Sequence, residues 1–258
     1  MDNPVIFLGA GPGDPELITV KGQRALARAD VVVYAGSLVS VAMLDWARPE
    51  AELIDTAPLA LEEILQTIMA AHRAGKRVVR VHSGDTSLFS AMQEQLEVLE
   101  REGVPYEVIP GVTAAAAAAA ALAQELTLPE LTQTVILTRA PGRTPVPERE
   151  ALQELAGHGA TLVIYLSVKL IDSVVAALTE AYGPRTPAVV AYRVSWPDQR
   201  LIRGTLADIA ELTRQAGIER QALILVGPAL AARNRNLKAR SKLYDRSFSH
   251  GFRSGSTD

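Results

Sequence analysis

At 258 residues, with 48% hydrophobic and 21% charged content, the chain can fill the core of one large or two modest domains. Its net charge of −3 argues against a broad nucleic-acid footprint, and the absence of cysteine excludes a disulfide framework and thiolate chemistry. No apolar run reaches membrane-spanning length and no basic, apolar leader precedes the first strand, so the expectation is a cytoplasmic protein with neither nucleic-acid nor membrane partners.

The chain opens on an apolar run, Val5-Ile-Phe-Leu, that ends in Gly9-Ala-Gly11-Pro-Gly13-Asp14-Pro. A helix follows from Val20 to Ala29. Strand, glycine turn and helix place the turn at the carboxyl end of a strand, where open α/β sheets bind ligands. Val31–Tyr34 reads as a short buried strand, Ser40–Trp46 as a short helix, and Leu61–Ala74 as a helix of 3.6-residue apolar spacing stopped by Gly75. Val78–Val81 is a third strand, ending in a second glycine turn, His82-Ser-Gly84-Asp85-Thr-Ser-Leu-Phe89. Ala91–Arg101 is helical, Tyr106–Ile109 a strand, and Pro110-Gly111 a turn. Alanines run unbroken from Ala114 to Ala121 and predict a tightly packed helix. Strands alternating with helices give a parallel α/β unit.

The second half repeats the alternation less regularly. Strands are expected at Gln133–Thr138, Ala160–Leu166, Ala188–Tyr192, Leu201–Arg203 and Gln221–Val226. Helices are expected at Glu148–Ala156, Ile171–Tyr182 and Ala207–Ala216. The expected organisation is an N-terminal α/β domain over 1–112, a C-terminal α/β domain over 113–232, and a basic, polar, mobile tail over 233–258.

The first turn is not a dinucleotide fingerprint. Asp14 stands where the third glycine belongs, and its carboxylate would repel a pyrophosphate. Nor is it a Walker A loop, since no Gly-Lys-Ser/Thr follows. His72, His82, His158 and His250 show no i, i+4 metal pair, so no metal site is expected.

Three stretches together resemble the tetrapyrrole methyltransferase family, which uses S-adenosylmethionine: Gly9-Ala-Gly-Pro-Gly-Asp-Pro-Glu-Leu-Ile-Thr19, Ser83-Gly84-Asp85 and Pro110-Gly-Val-Thr-Ala114. The likeness covers about residues 4–230. It is narrowed within the family by Glu125–Glu130, Gln133–Arg139, Gly142–Glu148, Ser195-Trp-Pro-Asp-Gln199 and Ser241–Asp245. The resemblance implies two α/β domains flanking an active-site cleft, a homodimer, a folded S-adenosylmethionine and a tetrapyrrole (precorrin-type) substrate carrying many carboxylates.

Position by position, the resemblance assigns cofactor contacts to Pro12, Ser83, Gly84, Asp85, Leu88, Thr113, Ala114, Leu166, Ala191 and Ala222. Thr86 and Ser90 depart from a frequent proline and glycine, which leaves the path of the second turn open. Asp85 either meets a cofactor hydroxyl or amine, or caps the helix that follows. Substrate carboxylates call for arginines on a rim, and the candidates are Arg139 and Arg143, then Arg193 and Arg80. Asp14 and His82 are the weak candidates for moving a proton. Methyl transfer from sulfur asks the protein for alignment rather than for a nucleophile. A non-catalytic nucleotide- or tetrapyrrole-binding regulator is the competing expectation, and the presence of two cofactor turns favours the enzyme.

Overall fold

A computed structural model describes residues 3–234, 241 and 244–256. The contacts within the chain divide it into two units, residues 1–118 with 193–199 and residues 119–192 with 200–258.

The first unit holds β1 (Val5–Gly9), α1 (Val20–Leu26), β2 (Val31–Tyr34), β3 (Glu52–Asp55), α2 (Leu61–Arg73), β4 (Val78–His82), α3 (Gln93–Arg101) and β5 (Tyr106–Ile109). Its five strands are parallel, in the order β3-β2-β4-β1-β5. Both faces are covered, which is why Val31-Val-Val33 is apolar without alternation. On one face Val5, Phe7, Val33 and Val78 pack with Ile68 of α2 and Leu99 of α3. On the other, Leu8, Val32, Val81 and Ile109 pack with Leu26 of α1 and with Met43. Each fully buried side chain of this size contributes about 1.5–3 kcal/mol.

The helix α4 (Ala114–Leu122) follows β5. The second unit holds β6 (Val135–Arg139), α5 (Leu152–Ala156), β7 (Thr161–Tyr165), α6 (Ile171–Tyr182), β8 (Pro187–Tyr192), β9 (Arg200–Thr205), α7 (Ile209–Gln215) and β10 (Ala222–Val226). This sheet, β6-β7-β10-β8-β9, is mixed. Only β6 and β7 are parallel, and β10 runs against both of its neighbours. The short loop Arg193–Gln199 turns β8 directly into antiparallel β9.

Several expected elements change. The helix expected at Ser40–Trp46 is a 3-10 helix over Val41–Trp46. The one expected at Glu148–Ala156 breaks at Ala151, whose backbone is extended, leaving a 3-10 turn before α5. The segment Glu52–Asp55, unmarked in the sequence, is the edge strand β3, with its charged ends exposed. In the region of the expected tail, residues 235–240, 242, 243, 257 and 258 lie outside the described residues. Nearby, the Arg253 guanidinium donates to the Asp245 carbonyl at 2.6 Å, and His250 bridges to Arg253.

Candidate active site

Three turns at the carboxyl ends of β1, β4 and β5 meet through their backbones. The Ala10 amide donates to the His82 carbonyl at 2.8 Å. Gly11 and Gly84 exchange two hydrogen bonds, of 3.1 and 2.7 Å. The approach is close enough to exclude side chains: a Cβ on Gly9 would lie 2.6 Å from the Gly111 nitrogen and 2.8 Å from the Gly84 oxygen. Gly84 itself adopts φ +63°, and the nearest atom to an added Cβ there is 3.9 Å away. Its Cα therefore faces open space beside the junction.

Asp85 joins two of these turns. One carboxylate oxygen accepts from the Gly111 amide at 2.8 Å, the other from the Ser87 amide at 2.9 Å and from the Ser87 hydroxyl. Burial alone would raise this carboxyl, but the bonds from Ser87 and Gly111 outweigh it and hold the group below the usual carboxylate range. Asp85 does not cap the helix that follows, which begins only at Gln93; its carboxylate instead closes the turn on Ser87 and ties it to Gly111. The path left open by Thr86 and Ser90 is settled by another bond, from the Ser90 hydroxyl to the Thr86 carbonyl. A glycine at 90 could not make it. Phe89 and Ala91 adopt φ of 53° and 51°, which delays the helix expected from Ala91 until Gln93.

Pro12, Ser83, Gly84, Asp85, Leu88, Thr113 and Ala114 are all partly exposed around this junction or on the chain leaving it. The structure thus brings the first-unit cofactor candidates to one end of one sheet. Asp14 sits in the same first turn. Its side chain accepts from the Glu16 amide at 2.9 Å and caps the 3-10 turn Pro15–Leu17.

Arg80 and His82 are placed differently from expectation. Both are 5% exposed and lie on the face of β4 that carries Val78. The Arg80 guanidinium meets Gln95 Oε1, the Val33 carbonyl and Thr56 Oγ1, each at 3.3 Å. Gln95 is oriented by its own bond to the Ala91 carbonyl at 3.0 Å. Burial pushes Arg80 down to about 10, so it remains a cation inside the layer and not a rim arginine. His82 stacks on Phe7 at 5.9 Å. Burial first, then the Arg80 charge, push its imidazole down to about 3. It is neutral at physiological pH and is no proton carrier there.

A titration follows from this. The unfolded imidazole takes up a proton near pH 6.5, whereas the folded one does so only near 3. Stability is therefore complete above pH 6.5 and falls as pH drops towards 3. The His82 share of the loss between pH 7 and 4.5 is about 2–3 kcal/mol. Urea unfolding at the two pH values should show His82→Phe, which retains the stack on Phe7, losing that much less than the wild type. Equal losses would remove His82 as the cause.

In the second unit, Leu166 directly follows β7 with φ 55° and is 69% exposed, an unusual state for a leucine. Ala191 and Ala222 are buried. The register pairs Ala222 with Tyr192 and Leu223 with Ala191, so the two methyl groups lie on opposite faces of the sheet. The Arg139 guanidinium is spent on the carbonyls of Thr144 at 3.1 Å and Pro145 at 2.6 Å, shaping the proline-rich loop. Arg143, in that loop, is exposed and has no hydrogen bond or ion pair among the described residues. Arg193 belongs to the first unit, lies 4.1 Å over the Trp196 ring and pairs with Asp198.

The turns suit a neutral or cationic ligand. They offer backbone groups, small side chains and three acids, Asp14, Glu16 and Asp85, with no lysine or arginine within Gly9–Leu17 or Ser83–Ser90. A pyrophosphate finds no cation there. Among the described residues no group of three or more His, Asp or Glu side chains could hold a metal, and no helix is long and apolar enough to cross a membrane.

Comparison with known proteins agrees with this geometry. The family model of tetrapyrrole (corrin/porphyrin) methylases matches residues 4–210. A precorrin-4 C(11)-methyltransferase of Pseudomonas aeruginosa is 50% identical over 251 residues, 97% of this chain and 99% of its own. A solved structure of a cobalt precorrin-4 methyltransferase of cobalamin biosynthesis superposes with a TM-score of 0.86 at 50% identity, covering 89% of this chain and 96% of that one. The uroporphyrin-III C-methyltransferase of Thermus thermophilus, solved with S-adenosyl homocysteine, superposes at 0.74 and 30% identity, covering 92% and 96%.

Proposed function

Because the chain belongs to the tetrapyrrole (corrin/porphyrin) methylases, we propose that it methylates C11 of precorrin-4 to give precorrin-5, using S-adenosylmethionine, in cobalamin biosynthesis. The observation that carries this reading is the 50% identity, over nearly the whole of both chains, to a relative of that activity. When bound, S-adenosylmethionine supplies a methyl carbon already activated on sulfur and leaves as S-adenosylhomocysteine. The chain's own task is to hold that carbon in line with the accepting carbon, which lowers the barrier by several kcal/mol, and to keep water away. The backbone junction at Gly9, Gly84 and Gly111 suits it to the first part of that task, since it is stiff and offers little to react.

In this reading Pro12, Ser83, Gly84, Leu88, Thr113 and Ala114 line the donor, and Leu166 adds an apolar surface. Asp85 acts by holding two turns together. Of the arginines, Arg143 is the one we assign to a substrate carboxylate, because its guanidinium is exposed and uncommitted. By the same resemblance we propose a homodimer working in the cytoplasm. Light scattering that returned the mass of one chain would remove the dimer.

The cobalt-bearing form of the substrate is the second reading, favoured by the solved relative of that name at 50% identity. Purified protein given S-adenosylmethionine and precorrin-4, metal-free in one vessel and cobalt-loaded in another, separates the two. The expected product carries one added methyl, and Arg143→Ala is expected to raise the KM for the macrocycle about tenfold. A protein that binds S-adenosylhomocysteine and methylates neither form would leave only the regulator.

A further inference from the structure

The segment Arg193–Gln199 joins two strands of the second unit in sequence, yet its contacts place it in the first unit. There it grips the turn that follows β1. The Trp196 indole N–H donates to the Pro12 carbonyl at 2.9 Å, and the Asp14 amide donates to Ser195 Oγ at 3.0 Å. The indole also occupies the space beside Gly13, where an added Cβ would lie 2.1 Å from Trp196 Cδ1. Arg193 covers the ring, its guanidinium 4.1 Å from the ring centroid, and Gln199 Oε1 accepts from the Ser195 amide at 2.7 Å.

Two further facts point the same way. The chain has two tryptophans, and the other, Trp46, donates its indole N–H to the Pro15 carbonyl at 3.2 Å. Both tryptophans therefore hold prolyl carbonyls of a single turn. Moreover, Arg193 and Ser195 adopt left-handed φ of 43° and 67°, a strained backbone for residues with side chains. The strain is borne where the segment bends to deliver the serine hydroxyl and the indole.

We infer that Trp196, with Ser195, is a positioning residue for methyl transfer: it holds Pro12–Asp14 in the donor-binding shape and so sets affinity for the donor. This rests on the reading of the turn as part of the S-adenosylmethionine site. A mere brace for folding would act on stability alone. Trp196→Phe keeps a ring and removes the N–H donor. Ser195→Ala removes the acceptor of the Asp14 amide and little else.

The test measures S-adenosylhomocysteine binding by calorimetry, the KM for S-adenosylmethionine, kcat and Tm, for the wild type and both variants. The inference expects Kd and KM for the donor to rise about tenfold, with kcat within about twofold and Tm held. In a Trp46→Phe protein, whose tryptophan emission comes from Trp196 alone, titration with S-adenosylhomocysteine should change the fluorescence with the same midpoint as calorimetry on that same protein. Wild-type binding with unchanged affinity in both variants overturns the inference and leaves the proposed activity standing. A fall in Tm with affinity restored on cooling shows a brace and overturns it too. No binding by the wild type overturns the proposed site first, and this inference with it.

Discussion

Gly111→Ala should abolish measurable S-adenosylhomocysteine binding. An added Cβ would lie 2.2 Å from the Gly84 oxygen and 2.6 Å from the Gly9 oxygen, both backbone atoms. Side chains can rotate away from such a contact, but three turns already bonded to one another cannot, so the backbone itself must part. Overpacking of this kind costs about 3 kcal/mol, the upper end of its usual range, because nothing near it is flexible. Parting the turns also breaks the bond from the Gly111 amide to Asp85. Gly157→Ala is the control. That glycine has φ −59°, and its added Cβ would come no closer than 3.4 Å to the Glu154 oxygen. Its stability should stay within about 0.5 kcal/mol of the wild type. Calorimetry and urea midpoints on both variants check this, and wild-type affinity in Gly111→Ala would show that the junction is no cradle.

The second large effect is expected of Asp85→Ala. Alanine leaves the Gly111 and Ser87 amides without their acceptor, and the tie between the second and third turns is lost. Hydrogen bonds to a charged group are worth about 1.5–3 kcal/mol each when one partner is removed, less where water can replace it. About 2 kcal/mol of stability and about a hundredfold in donor affinity should go together, since the turns no longer come prearranged. Asp85→Asn, which retains one acceptor oxygen, should fall between. The sign of the pH effect follows from the lowered carboxyl. Its contribution is complete above the ordinary carboxylate value near 4 and is lost as pH falls through the lower folded value. If Asp85→Ala bound the donor like the wild type at pH 7, the residue would not be holding the turns together.

Much of the first sheet was legible in the residues. Val5–Leu8 and Val31–Tyr34 are apolar runs, Val78–Val81 is one apart from Arg80, and each, closed by a glycine or polar turn, became a strand of the parallel sheet. The edge strand Glu52–Asp55 was not legible, because its charged ends hide the alternation. The direction of the strands in the second sheet was not read from the sequence; the short loop after Tyr192 leaves no room for a parallel crossover, so β9 runs antiparallel to β8.

The site divides along a similar line. Gly9, Gly11, Gly84 and Gly111 were visible as turns, and Asp85 as a residue of the second turn. That Arg80 and His82 face the helices was not visible, since a continuous buried strand carries no alternation to reveal which face a residue takes.

The amino-acid order by itself determined the alternating elements, the glycine turns at strand ends and the family likeness. These rest on local chemistry, namely side-chain periodicity, backbone freedom and motif spacing. Only the tertiary structure decided what the polar groups in those turns do. The Asp85 carboxylate meets an amide 26 residues on, and the first turn is held by a serine and a tryptophan 181 and 184 residues away. Hydrogen bonding acts over ångströms, and no local pattern records which distant segment the fold will bring within that reach.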